Sequence, residues 1–123
     1  MSVPILKMGD ILVASIQAAL SDTDWDLFRR ALLSRAGDPR ISGAIVDLTV
    51  MDVIDSFAAR TLRDLVQMVR LRGAEVVIVG IQPEVAFAMA QLGLRLEGVM
   101  TALDLDGGIE LLRVRRPSGS LDA

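Results

Sequence analysis

The stretch Ile41-Ser42-Gly43-Ala44-Ile45-Val46-Asp47-Leu48 decides the fold. It is a short run, apolar for most of its length, whose one charged residue, Asp47, stands at its end. A strand with one wet face alternates apolar and polar side chains. A run that stays apolar at successive positions instead suits a strand covered on both faces, as a parallel sheet with crossover helices requires.

The flanks agree with that reading. Upstream, Ser21 is a good N-cap with Asp24 three residues on, and Trp25, Phe28, Leu32 and Leu33 recur at helical spacing until Gly37-Asp38-Pro39 stops the run. This predicts a helix over 22–36. Before it, the apolar segments 3–8 and 11–17 flank Gly9-Asp10 and read as a hairpin. Downstream, a polar loop leads to a helix beginning after Ser56, with Ala58, Leu62, Leu65, Val66 and Val69 along one stripe and Gly73 at its C-terminal end. A strand over 75–80, a helix from Pro83 closed by Gly93, a last strand over 100–105 and a short helix over 107–114 capped by Asp106 complete the order. The expected fold class is α/β: a small mixed, largely parallel sheet with crossover helices, forming one domain over 1–114 with a flexible tail over 115–123.

At 123 residues and 52% hydrophobic, one core can form without disulfides or metals. The chain contains no His, no Cys and no Tyr, and its single Lys is Lys7. That removes a His-based triad, a thiolate nucleophile and a standard structural zinc site. A net charge of −3 and four aromatic residues argue against a nucleic-acid partner, which would demand many phosphate contacts or base-stacking platforms. The absent cysteines suit a reducing compartment, and neither a signal segment nor a long uninterrupted apolar run is visible, so a soluble cytoplasmic protein without a membrane segment is expected.

Candidate chemistry gathers in the loop from Asp47 to Phe57, at the carboxyl end of the central strand, where sites of open α/β sheets collect. Ser56 falls at or beside the start of the second helix. Its structural role there would be an N-cap, worth about 1 kcal/mol. A phosphate added to it would bring about 1.5 to 2 negative charges, favoured by the helix N–H groups and opposed by Asp52 and Asp55 if they lie close. Asp47, Asp52 and Asp55 could converge on magnesium as in receiver domains. Such receivers also use an acid pair after the first strand and a lysine after the last, and neither is visible here. Without His, a hydrolase built on Ser56 would need a base the sequence does not signal, and Gly107-Gly108 lacks the wider spacing of a phosphate-binding loop. No enzymatic activity, cofactor or metal is expected. Arg60, Arg63, Arg70 and Arg72 form a solvated helix face that can also serve docking, and Phe57 reads as a core staple before an interface anchor.

Val46-Asp47-Leu48-Thr49 through Ile54-Asp55-Ser56 resembles the signature of STAS domains, the sulphate-transporter and anti-sigma-factor-antagonist family. Within it, Pro4-Ile5-Leu6-Lys7, Ser15-Ile16-Gln17, Ile54-Asp55-Ser56-Phe57, Gly80-Ile81-Gln82-Pro83 and Thr101-Ala102-Leu103-Asp104-Leu105 are similar to the RsbS-type antagonists of the bacterial stressosome. The general anti-anti-sigma pattern follows its acceptor serine with a small residue and a glycine, where this chain has Phe57-Ala58. The resemblance implies a non-catalytic scaffold that co-assembles with RsbR-type STAS paralogues into a large hetero-oligomer, with a dimer as an option for the isolated chain. It implies sequestration of an RsbT-type serine kinase, release when that kinase phosphorylates Ser56, and reset by a phosphatase. Thr49 is a second candidate acceptor, and Asp52, Asp55, Phe57, Arg60 and Arg63 are the candidate docking residues. Two alternatives share the family: an anti-anti-sigma factor in a direct partner switch, and a sensory STAS module that binds a small ligand.

Overall fold

The computed structural model describes residues 2–93 and 98–114; the tail expected over 115–123 lies outside the described residues. The elements run β1 (Ile5–Met8), β2 (Ile11–Ser15), α1 (Asp22–Ala36), β3 (Gly43–Asp47), α2 (Ser56–Leu71), β4 (Glu75–Val79), α3 (Pro83–Gln91), β5 (Met100–Ala102) and α4 (Leu105–Val114). The five strands lie in one sheet in sequence order, β1-β2-β3-β4-β5. β1 pairs with β2 antiparallel through the turn at Gly9-Asp10, and every later pairing is parallel. The mixed, largely parallel sheet is the predicted one.

Side-chain alternation along the strands divides the interior into two layers. Leu12, Ala14, Ala44, Val46, Val76 and Ile78 face α1, α2 and α3 and join Trp25, Phe28, Leu32, Leu62, Leu65, Val69, Val85 and Met89 in the larger core. Ile11, Val13, Ile45, Val77 and Val79 face the other way and pack with Leu112 of α4. The central run is therefore buried on both faces. Two glycines set how closely α4 approaches. A Cβ on Gly108 would stand 2.8 Å from Val79 Cγ1, and one on Gly43 would stand 2.8 Å from Leu112 Cδ2. Gly108 thus serves close helix-to-sheet contact.

Helix ends account for the differences from the predicted boundaries. α1 starts as expected: Ser21 Oγ accepts the Asp24 N–H at 3.1 Å while the Asp24 carboxylate accepts the Ser21 N–H at 3.1 Å. The last strand, by contrast, stops at Ala102 and α4 begins at Leu105. Asp104, not Asp106, caps that helix, its carboxylate accepting the Gly107 N–H at 2.9 Å. Both acids are eligible caps, and once Leu103-Asp104 leaves the sheet the earlier one satisfies the free N–H groups first. α3 ends at Gln91, with Gly93 two residues on at φ +82°.

Candidate functional site

β3 delivers the loop to the carboxyl edge of the sheet. Leu48 N–H still donates to Val79 O at 2.9 Å, so the chain leaves the sheet only after Leu48. The next residues are fastened. Asp47 Oδ1 accepts both the Thr49 N–H at 2.9 Å and the Thr49 hydroxyl at 2.6 Å, and Gln82 Nε2 donates to Thr49 O at 2.8 Å across from the start of α3. Gly80, at φ +73°, passes so close that a Cβ there would stand 2.0 Å from Thr49 Oγ1. Sequence reasoning missed Gly80 and Gln82 as supports of this loop. The island Gly80-Ile81-Gln82-Pro83 was their signal, but nothing in a linear sequence says which loop they touch.

At its far end the loop enters α2 through Asp55, whose carboxylate accepts the Ala58 N–H at 2.8 Å. The N-cap role expected of Ser56 therefore belongs to Asp55. An extended residue immediately before the first turn is the one whose side chain reaches back to the third N–H, and Asp55 has that backbone, at φ −105° and ψ 177°. Ser56 is the first helical residue. It is exposed, and its hydroxyl makes no hydrogen bond among the described residues.

Between these anchors the loop alternates inward and outward residues. Met51 and Ile54 pack on the larger core, while Val50 and Val53 are 52% and 73% exposed and Asp52 is exposed between them. A small cavity of about 330 Å³ separates this segment from Ala18–Leu20 and Trp25. Phe57 is half-buried against the larger core, between the two readings the sequence offered. Arg60 is exposed one helical turn beyond Ser56. Arg63, a further turn away, stands 3.5 Å from Asp64. Arg70 pairs with Glu75 at 3.4 Å and donates to Gly98 O.

Asp52, Asp55, Ser56 and Arg60 are all exposed along the end of the loop and the first two turns of α2, while Thr49 sits at the loop's other end with its hydroxyl engaged. The three loop aspartates do not converge: Asp47 holds Thr49, Asp55 holds α2, and the described residues include no group of three or more acids placed to hold a metal ion. A second hollow of about 710 Å³, lined by Thr49, Gly80, Gln82, Thr101 and Leu103, opens at the carboxyl ends of β4 and β5. No helix among the described residues is long and apolar enough to cross a membrane.

Four parallel strands with an antiparallel edge strand, three helices on one face, and a loop that ends on an exposed serine define a small α/β domain with a mixed sheet. The STAS domain description matches residues 2–105, and the chain belongs to the STAS family. A serine-to-glutamate variant of RsbS from Moorella thermoacetica superposes with a TM-score of 0.83 at 33% identity, covering 91% of this chain and 95% of that one. A chain from the molecular architecture of the stressosome, described as a signal integration and transduction hub, superposes with a TM-score of 0.81 at 34% identity over 90% of this chain and 96% of its own. The RsbT co-antagonist protein RsbRA of Bacillus subtilis is 33% identical over 79 residues, 64% of this chain but only 29% of that relative's length. The chain is therefore related to RsbS and to the RsbR co-antagonists, and it has the anti-sigma-antagonist fold.

Proposed function

We propose that this protein is a non-catalytic stressosome scaffold of the cytoplasm that sequesters an RsbT-type serine kinase and releases it when Ser56 is phosphorylated. The observation that carries this reading is Ser56 itself: an exposed hydroxyl, free of hydrogen bonds among the described residues, at the start of α2 beside the exposed strip Val50-Asp52-Val53. In the modifying step the Ser56 oxygen forms a bond to the terminal phosphorus of ATP, ADP leaves, and the hydroxyl proton passes to the kinase. The added charge of about −1.5 to −2 then changes the surface offered to the partner. Similarity to RsbS, and to a relative named for co-antagonism of RsbT, supports the choice of partner. Co-assembly with RsbR-type STAS paralogues is part of the same reading, as is reset by a phosphatase. Its folded unit is residues 1–114, with 115–123 as an appended tail.

Incubation with an RsbT-type kinase and ATP, followed by mass-spectrometric mapping, is expected to place phosphate on Ser56. Modification elsewhere, with Ser56 untouched, sinks the reading. Thr49 is expected to react more slowly, because its hydroxyl must first leave Asp47. Kinase affinity should fall at least about tenfold on phosphorylation, equivalent to about 1.4 kcal/mol, and stay unchanged in Ser56→Ala. Chromatography with an RsbR-type paralogue distinguishes the direct partner switch, which predicts no large particle. The hollow beside Thr49, Gln82 and Thr101 favours one further reading, a ligand-binding sensory module. Calorimetry with nucleotides tests it, since a pure scaffold gives no saturable heat.

A further inference from the structure

The arginines around Ser56 are not equivalent. Arg60, Asp26, Arg29, Phe57 and Asp64 share the groove between α1 and α2. Both acids of that groove are already engaged by other cations. Asp26 is held by Arg29 at 2.6 Å and by Arg30 at 3.0 Å, and Asp64 lies 3.5 Å from Arg63. Arg60 forms no ion pair with any described residue, and its side chain is exposed.

Its position relative to Ser56 is specific. The two are four residues apart on α2, which places their Cβ atoms about 5–6 Å apart on one helix face. Helical side chains tilt toward the N-terminus, so the Arg60 stem leans back toward Ser56. An anion N-terminal to a cation at this spacing is also the favourable order. The nearest acid to Ser56, Asp55, is turned onto the Ala58 N–H. Asp52 is the remaining loop carboxylate, and it makes no ion pair among the described residues.

We propose that a phosphoryl group on Ser56 is held in cis by Arg60, so that phosphorylation both adds an anion and withdraws the one unpaired cation of this groove among the described residues from the docking surface. This rests on Ser56 being the acceptor. Guanidinium suits the task because its planar fork can meet two phosphate oxygens at once. Arg63 cannot substitute for it, since it lies seven residues from Ser56, two turns along the helix.

The test uses the full chain carrying genetically encoded phosphoserine at position 56, so that it does not depend on any kinase. Phosphorus NMR titration reads the second ionisation of the phosphate, which lies near about 6 when unperturbed. The charged residues flanking position 56 on the loop and the second turn of α2 are Asp52, Asp55 and Arg60, with Asp26, Arg29 and Asp64 lining the groove that Arg60 shares, and of these only Arg60 is altered between samples. In the otherwise unmodified chain the midpoint is expected about 0.3 to 0.5 pH unit below that of Arg60→Gln. Arg60→Lys should fall between them, and Arg63→Gln should match the unmodified chain. Equal midpoints for the unmodified chain and Arg60→Gln, or an equal rise in Arg63→Gln, overturn the proposal. Failure of the kinase to modify Ser56 would overturn the phospho-switch and leave this measurement standing.

Discussion

Gly80→Ala should damage the loop from below, and the structure says by how much. Gly80 has φ +73°, in the left-handed region, where a residue with a Cβ pays about 1–2 kcal/mol. The new methyl would stand 2.0 Å from Thr49 Oγ1 and 3.0 Å from Thr49 Cβ, so Thr49 must move. Moving it breaks the 2.6 Å bond from its hydroxyl to Asp47, worth about 1 kcal/mol at an exposed site. The sum is about 2–3 kcal/mol for Gly80→Ala. Thr49→Ala alone should cost about 1 kcal/mol, because only the hydrogen bond is lost. In the double variant that bond cannot be lost twice and the closest obstacle is gone, so the pair should fall short of additivity by about 1 kcal/mol. Urea unfolding followed through Trp25, which is the only Trp and is 3% exposed, provides the readout. With a urea slope of about 1.5 kcal/mol/M the single glycine replacement lowers the midpoint by about 1.3–2 M. Additivity within about 0.3 kcal/mol would show that Thr49 does not rest on Gly80, and the account of how the loop is held would be wrong.

Two further outcomes follow from packing and charge. Gly108→Ala should destabilise by about 1–3 kcal/mol, read in the same unfolding assay, because its methyl meets Val79 Cγ1 at 2.8 Å and Ile45 Cδ1 at 3.3 Å inside the smaller core. Gly107→Ala, whose contacts begin at 3.3 Å, is the milder control. Asp38 is held down to about 2, from an ordinary 3.8, by hydrogen bonds from the Arg40 side chain and then its backbone N–H. A depressed carboxylate contributes stability that is complete above its unfolded value and lost as pH falls through its folded value. The contribution of this pair should therefore fade between about pH 4 and 2, and NMR titration of Arg40→Gln should show the Asp38 midpoint rising toward 3.8.

How much of this was legible follows from which interactions are local. The sheet was readable because Ile41–Leu48 and Val76–Val79 are apolar at successive positions, a pattern that both layers of core then explain. The α1 cap was readable because Ser21 and Asp24 are three residues apart and bond each other. At α2 and α4 the same chemistry misled by one and two residues. Asp55 and Ser56 are both eligible caps, as are Asp104 and Asp106, and only the exit of the preceding chain from the sheet chooses between them. Gly108 could be read as a phosphate-loop remnant or a helix start, because its actual constraint is Val79, twenty-nine residues away in sequence. The bonds from Gln82 to Thr49 and the approach of Gly80 join separate loops and leave no periodic trace.

The displacement of the cap from Ser56 to Asp55 has a consequence for the proposed switch. Were Ser56 the N-cap, its hydroxyl would be accepting a helix N–H, and a phosphate on that oxygen would change a bond worth about 1 kcal/mol to the fold. Modification and helix stability would then be tied together. With Asp55 holding the Ala58 N–H at 2.8 Å, the Ser56 oxygen is spare. A phosphate there meets the positive end of α2, a favourable term of about 0.3–1 kcal/mol for an exposed anion, and breaks no bond among the described residues. The other end of the loop is secured by Asp47, Thr49 and Gln82, through hydrogen bonds that do not involve Ser56. On the proposed reading the phosphate therefore rewrites the surface formed by Val50, Asp52, Val53 and Arg60 without refolding what lies under it. Such a switch can be set and reset many times, because the free energy of the modification goes into partner choice and not into unfolding α2.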